Sequence, residues 1–466
     1  MRPFNSLVAL PISVLLFANT MALAQVAPAP VAPVAAPEVA PVAEPVVAPP
    51  AQVVVTEPAP VATKPEPETK LAAKAAPMKI SLYGFFQLNT IIEGGANENR
   101  AWSIWLPKKS EDGESRIALN VNQTRIGINV SGEPKEGGPE VLGKFEVDWS
   151  NDNNRNNNGV GSLRIRQAFG QVKFNDIGLS LLLGQTSDLI GSLTAPSVNQ
   201  GTLQGQGSLG TRRPMIRATQ ALGPVEIAAA VTDNRDVSAY TISSKADTAK
   251  KSTYTSPQYP AFQYSLKGKV PASWAGAKQN VELTLGGHYA SREVAANDSA
   301  GVARKDGKDT NFTYNKPPTS WSYVASLSLP VISIVNLSGE FFYGQDLWSY
   351  SAGTIQQSNA VSKRASKAGV QSTGGWGAAN IKLPANFALV GGYGVEAICK
   401  SRELADGRVK NQVIFSNLRY FVDDAAYIAF EYANLLTRYA TTKADVRTTD
   451  SGKMNRYELV FNYAFK

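Results

Sequence analysis

The sequence predicts an all-β chain, an antiparallel transmembrane β-barrel of about 16 strands with a disordered Pro/Ala-rich segment before it. Three observations carry this reading. Between Ile80 and Phe465, stretches of roughly 8 to 15 residues alternate apolar and polar side chains, the period of a strand with one greasy face. The connections between these stretches alternate long and short, as the outer loops and periplasmic turns of a barrel do. The N-terminus carries the marks of export, and no later run approaches the length of a membrane helix.

The last stretch shows the period most clearly. In Tyr457–Phe465 the side chains of Tyr457, Leu459, Phe461, Tyr463 and Phe465 share one face. The first stretch, Lys79–Ile92, puts Ile80, Leu82, Phe86, Leu88 and Ile92 together. The second ends in Gln123–Val130, with Ile126, Ile128 and Val130 opposite Arg125 and Asn129. The third, Glu140–Ser150, sets Val141, Phe145, Val147 and Trp149 against Lys144, Glu146 and Asp148. Ser162–Phe174, Gly178–Thr186, Arg212–Gln220 and Pro224–Thr232 follow, and then Phe262–Val270, Val281–Ala290, Ser320–Leu329 and Asn336–Gly344. Gly374–Leu383, Asn386–Val395, Asn411–Phe421 and Ala426–Leu436 complete the set with the terminal stretch. The count is even, as a single-chain bacterial barrel requires.

Short connections lie at Glu133–Pro139, Asn175–Ile177, Ala221–Gly223, Pro271–Gln279, Pro330–Ile332, Pro384–Asn386 and Val422–Ala425. Every odd-to-even connection is the longer kind, including the third-to-fourth connection with its DNNRNNNG run (Asp152–Gly159) and the polar stretches Asp233–Tyr259, Val294–Pro318 and Gln345–Thr373. That ordering places the start of the first strand in the periplasm. A soluble sandwich gives no reason for such alternation.

Arg2 is the only charge before Glu38; the apolar run Leu7–Ala18 and the small-residue pattern Ala22-Leu23-Ala24 follow it. This reads as a signal peptide over 1–24, and with the strands it predicts the outer membrane of a Gram-negative bacterium. Residues 25–77 are dominated by Pro, Ala and Val, which disfavour helix and sheet and predict an extended periplasmic linker, with peptidoglycan as a partner it could touch. The barrel domain is then 78–466. One cysteine, Cys399, leaves no disulfide framework, and one histidine, His288, excludes metal sites built on several His or Cys ligands. His288 reads as a strand or rim residue. No metal, cofactor or nucleic acid is expected, and the lack of a partnered His base argues against an enzyme.

The segments QTRIGINV, RIRQAFGQV, LLLGQT, GEFFYGQDL, GGWGAANIKL and NQVIFSNLRYF resemble, in their order, those of the DcaP-like porins within the Gram-negative trimeric porins, over roughly residues 79 to 466. The resemblance implies a 16-stranded homotrimeric pore for passive diffusion of small hydrophilic solutes, with dicarboxylates and other anions favoured in some members. The chain departs from the pattern in having a Pro-rich segment where some members carry a coiled coil, and in ending Phe465-Lys466. The row Phe461, Tyr463 and Phe465 is the expected signal to the barrel-assembly machinery. A structural tether or adhesin is the other reading.

Polar-face charges should point into the lumen, because a charge at the lipid midplane costs about 2–4 kcal/mol. The pore-lining candidates are Arg125, Arg164, Arg166, Arg212, Arg213, Arg217, Arg419, Glu340 and Glu431, with Lys144, Glu146, Asp148 and Lys382 on the same test. Without Arg2 and the three Lys and five Glu of residues 25–77, 42 of the 46 basic and 33 of the 38 acidic residues remain, a formal +9. Rings of Arg favour anions in a narrow opening; the competing placement of this charge is on loops and rim, against outer-membrane lipid and lipopolysaccharide. The connection Ser187–Thr211 is rich in Gly, Ser, Gln and Asn with one acid, Asp188, and suits a loop folded inward against the wall, facing Arg212, Arg213 and Arg217.

Overall fold

The computed structural model describes residues 78–95, 104–109, 113–132, 138–151, 162–191, 193–199, 201–234, 254–255, 259–276, 279–291, 294–295, 300–305, 308–313, 319–351, 370–399, 406–443 and 446–466. The signal peptide, the Pro-rich segment and the DNNRNNNG run lie outside the described residues.

The described strands close into a 16-stranded antiparallel barrel. They are β1 (Met78–Glu93), β2 (Arg116–Asn120 and Arg125–Gly132, one strand in two halves), β3 (Glu140–Asn151), β4 (Ser162–Phe174), β5 (Leu179–Ser187), β6 (Arg212–Leu222), β7 (Val225–Thr232) and β8 (Ala261–Pro271). The second half comprises β9 (Asn280–Ser291), β10 (Thr319–Ile332), β11 (Val335–Gln345), β12 (Gln371–Leu383), β13 (Phe387–Ile398), β14 (Asp406–Phe421), β15 (Ala426–Lys443) and β16 (Val446–Phe465). Each strand pairs with its sequence neighbours, and β16 returns to β1 from Phe465 opposite Gly84 to Arg456 opposite Glu93. Closure leaves no edge to lipid, where unpaired backbone groups are costly. Two small pairings stand apart from the barrel in long connections: Tyr254–Thr255 with Val294–Ala295, and the hairpin Ala300–Lys305 with Lys308–Thr313.

Period two decides the faces. On β16, Tyr457, Leu459, Phe461 and Tyr463 are exposed, whereas Glu458, Val460 and Asn462 between them are buried. The outward row continues around the barrel as Leu82 and Phe86 on β1, Leu283 and Leu285 on β9 and Ile428 and Phe430 on β15. The β12–β13 turn is tight because Ala385 and Asn386 both take positive φ, 55° and 62°, the backbone twist that joins two antiparallel strands through two residues.

Three departures from simple alternation bear on the site. β2 breaks at residues 121–124, so one half pairs with Asn89–Glu93 and the other with Met78–Phe85; in the short half Arg116–Asn120, Ile117 and Leu119 are exposed and their neighbours half-buried. The β3–β4 ladder slips between Glu146 and Val147, leaving Arg166 as the extra residue on β4, and Val147 is buried where strict alternation expects it outside. β14, β15 and β16 run well past the stretches read from the sequence, because their outward positions turn polar above the apolar band while the backbone ladder goes on.

The inner face is not uniformly polar. Trp376, Val390, Val413, Phe415, Leu435 and Met454 form an apolar patch on the inside of β12–β16, covered by Leu203 and Leu106. A polar lumen wall was expected there. The reason for the difference is that two connections fold inward and need a core of their own to pack on.

Candidate functional site

The connection between β5 and β6 runs along the inner wall, held by buried carboxylates that accept its N–H groups. Asp188, 5% exposed, accepts from Thr211 N (2.8 Å) and Arg213 Nε (2.8 Å), and Gln263 Nε2 donates to it at 2.6 Å. Further on, Val198 N donates to Glu431 Oε2 at 2.8 Å and Thr202 Oγ1 to Glu431 Oε1 at 3.1 Å. Asn199 Nδ2 donates to Glu458 Oε2 at 2.9 Å, and Asn89 Nδ2 donates to the same carboxylate. Leu209 N reaches Glu340 Oε1 at 3.0 Å. Arg419 grips the loop from another side, donating to the Pro196 carbonyl. At Gly207, with φ of 122°, an added Cβ would lie 2.2 Å from the Gly375 carbonyl; only glycine permits this approach to β12.

A second segment, Ile104–Lys109 of the first outer connection, completes the packing. Leu106 is fully buried, its N–H donates to Thr437 Oγ1 at 3.0 Å, and its carbonyl accepts from the Tyr439 hydroxyl. Gln206 and Asn411 both donate to the Ile104 carbonyl.

The wall facing the loop is cationic. Arg164 forms a two-point pair with Asp148 (2.9 and 2.7 Å). Arg166, re-aimed by the bulge, reaches both Glu146 and Asp148 at 2.7 Å. Arg125 lies 3.7 Å from Glu146, with its guanidinium over the Phe85 ring, and the Tyr83 hydroxyl donates to Glu146 at 2.8 Å. Arg212 sits within electrostatic reach of Arg166, Arg164 and Arg125, and the buried Nε of Arg212 and of Arg217 has no hydrogen-bond partner among the described residues. These five arginines and Lys267 line a cavity of about 490 Å³ whose other side is the loop, with Thr194, Ala195, Ser197 and Thr202. Arg217 and Glu226 also line a second cavity of about 440 Å³ with Lys173 and Gln171 near the β4–β5 turn. Counting Arg213, seven cations meet five carboxylates here (Glu146, Asp148, Asp188, Glu226 and Glu282, which pairs with Lys267), a local excess of +2.

The candidate residues therefore divide. Arg125, Arg164, Arg166, Arg212 and Arg217 come together around the cavity. Arg213 does not join them: it is 1% exposed, paired to Asp188, stacked 4.2 Å from the Tyr350 ring, and donates to the Ser349 carbonyl at 2.7 Å. Glu340 and Glu431, 4% and 2% exposed, lie beneath the loop and outside the open lumen. Arg419 holds the loop, Lys144 rests over Tyr83, and Lys382 sits at the β11–β12 end. His288 is buried on β9 between the hydroxyls of Ser322 (2.7 Å) and Ser320 (2.9 Å). Glu458, Asn199 and Tyr83 were missed, although Glu458 between Tyr457 and Leu459 carries the signal of an inward acid.

No family model matches the chain, and neither does any curated protein. Among solved structures it is similar to the outer-membrane channel DcaP of Acinetobacter baumannii, with a TM-score of 0.61 at 18% identity over 83% of this chain and 97% of that one. The chain has a DcaP-like porin fold. It is also similar to the anion-selective porin from Comamonas acidovorans, at a TM-score of 0.52 and 11% identity over 84% of this chain and 100% of that one. Outer-membrane OmpT of Vibrio cholerae gives a TM-score of 0.50 at 10% identity, over 84% and 99%. These neighbours of the porin fold are outer-membrane proteins of similar length.

One stability consequence arises from the arginine pairs. Replacing Arg166 with Met leaves Glu146 and Asp148 short of a buried partner, a change that typically costs about 3–5 kcal/mol. The variant should lose its heat-resistant folded band on a gel at a markedly lower temperature, whereas Lys144→Met should shift it little.

Proposed function

We propose that the chain is an outer-membrane porin that lets small hydrophilic solutes diffuse passively and favours anions, dicarboxylates among them. The observation that carries this reading is the asymmetry of the opening: Arg125, Arg164, Arg166, Arg212 and Arg217 on one side, and on the other a loop surface whose one acid, Asp188, is paired to Arg213. A cluster of fixed guanidinium groups in a narrow, low-dielectric opening raises the local concentration of anions and repels cations. Arg212 and Arg217 line this cavity, and a guanidinium group can hold a carboxylate by charge-assisted hydrogen bonds. The similarity to DcaP and to an anion-selective porin supports the same reading. A homotrimer is the proposed assembly, with residues 25–77 in the periplasm. A hydrolase is disfavoured, since the one histidine is spent between two serines inside the wall.

The reading is tested by adding purified protein to a planar bilayer. Large, steady conductance steps are expected; protein that inserts and stays silent would count against a pore and favour a structural tether or adhesin.

A further inference from the structure

We infer that the inner wall of β6 and β7 carries a subsite for a zwitterion, a small α-amino acid held between the Arg217 guanidinium and the Glu226 carboxylate. The inference adds a solute class to the porin reading proposed above, and it rests on that reading for the solute's access to the lumen.

The cavities of about 490 and 440 Å³ share three wall residues, Arg217, Glu226 and Leu189. The strand register sets how far apart the two charges stand. Arg217 lies opposite Ala230, Thr219 opposite Ala228, and Ala221 opposite Glu226. Arg217 and Glu226 are therefore two inward tiers apart, roughly 13 Å along a strand. The tier between them holds only Thr219 and Ala228. The two groups are within electrostatic reach of each other. Among the described residues, however, neither makes an ion pair or a hydrogen bond. Glu226 is exposed and Arg217 half-buried, so both can be reached from the lumen.

The neighbouring charges are spent on one another. Lys267 on β8 stands directly opposite Glu226, yet its ammonium lies 2.8 Å from Glu282, which also takes Lys269 at 3.5 Å. Lys173, in the wall of the second cavity, lies 3.4 Å from Glu140. One cation and one carboxylate are left facing the same gap.

That gap selects its ligand by charge. A simple anion meets Arg217 and is repelled by Glu226, and a simple cation suffers the reverse. A solute that carries both charges satisfies both groups: its carboxylate accepts from the guanidinium, and its ammonium donates to Glu226. Between the charges the wall is apolar, because Ala228 and Leu189 pack there with Leu182 and Met215. A short aliphatic side chain fits that surface. Gln171 and Thr219 line the same cavity and offer polar contacts at its edge.

The test uses three isosteric probes. Purified, folded protein in detergent is titrated with L-alanine, with isobutyrate (methyl in place of the ammonium) and with isopropylammonium (methyl in place of the carboxylate). Binding is read by saturation-transfer NMR. Wild-type protein should bind L-alanine roughly tenfold or more tightly than either analogue, the worth of one charge-assisted hydrogen-bonded contact. Glu226→Gln should bring L-alanine and isobutyrate to the same affinity. Arg217→Gln should bring L-alanine and isopropylammonium together, while Lys382→Gln, at the β11–β12 end, should keep the wild-type order. Equal wild-type affinities for L-alanine and isobutyrate would overturn the subsite, as would a folded Glu226→Gln protein that keeps the full preference. The wild-type comparison needs no variant, so the test stands if a substitution hinders folding. Bilayer recordings on the same preparation separate the two readings. A silent wild type that still prefers L-alanine sinks the pore and leaves the subsite standing; a conducting wild type without that preference does the opposite.

Discussion

Deleting Tyr463–Lys466 should abolish accumulation of the folded barrel. Phe465, Ala464 and Tyr463 pair with Gly84, Phe85 and Phe86 of β1, and Tyr463 also pairs with Ala426 of β15. The Phe465 ring packs 5.3 Å from that of Phe86. Without these residues the seam opens at the end where β1 begins. Backbone groups of β1 that lose partners in hydrocarbon cost several kcal/mol each, and the terminal aromatic row proposed as the assembly signal is cut. The measurement is the amount of heat-modifiable protein in outer-membrane fractions, which should fall to background. A normal folded band from the truncated chain would show that closure does not depend on this seam.

Replacing Glu431 and Glu458 together with Ala should release the middle of the inward loop. Glu431 accepts from Val198 N, Thr202 Oγ1 and Asn417 Nδ2, and Glu458 from Asn199 and Asn89. Each buried donor left without an acceptor costs about 1–3 kcal/mol. What else holds this stretch is weaker: Arg419 and Asn417 reach the Pro196 carbonyl, and Val198 joins a small apolar cluster with Ala429 and Val460. Single-channel records of the variant should show a larger and noisier conductance. Records identical to the wild type would mean that Asp188, Glu340 and the Leu203–Leu106 packing suffice to seat the loop.

The fold was legible in the sequence because lipid imposes alternation on every strand. Tyr457–Phe465 falls inside the strand that carries it, the second stretch does so from Arg125 to Val130 while Gln123 and Thr124 fall in the break of β2, and the turns at Ala221–Gly223 and Pro384–Asn386 sit where short connections were read. The outer reaches of β14–β16 were not legible, since Asn434, Arg438 and Lys453 follow no apolar period even though they lie on continuous strands. The site was legible in part. Parity and spacing grouped Arg125, Arg164, Arg166 and Arg217 on the inner face. Sequence alone could not separate Arg212 from Arg213, since only the fold decides which of two adjacent guanidinium groups meets Asp188. Nor could it separate an inward acid that faces water from one that anchors a loop, because Glu340 and Glu431 carry the same parity in either role. The inward path of Ile104–Lys109 left no period at all; it is fixed by Leu106 entering an apolar patch built from five distant strands.

The central claim is that the arginine-lined opening sets the charge preference of the pore, and its most direct test is the zero-current potential of single channels in a KCl gradient, measured for the wild type and for R212Q/R217Q. These two side chains line the cavity without holding the Glu146–Asp148 pairs, so the barrel should remain intact when they change. The account predicts a wild-type potential on the chloride-selective side and a clear displacement toward zero in the variant. A wild-type channel that selects potassium, or a variant with the wild-type potential, would contradict it.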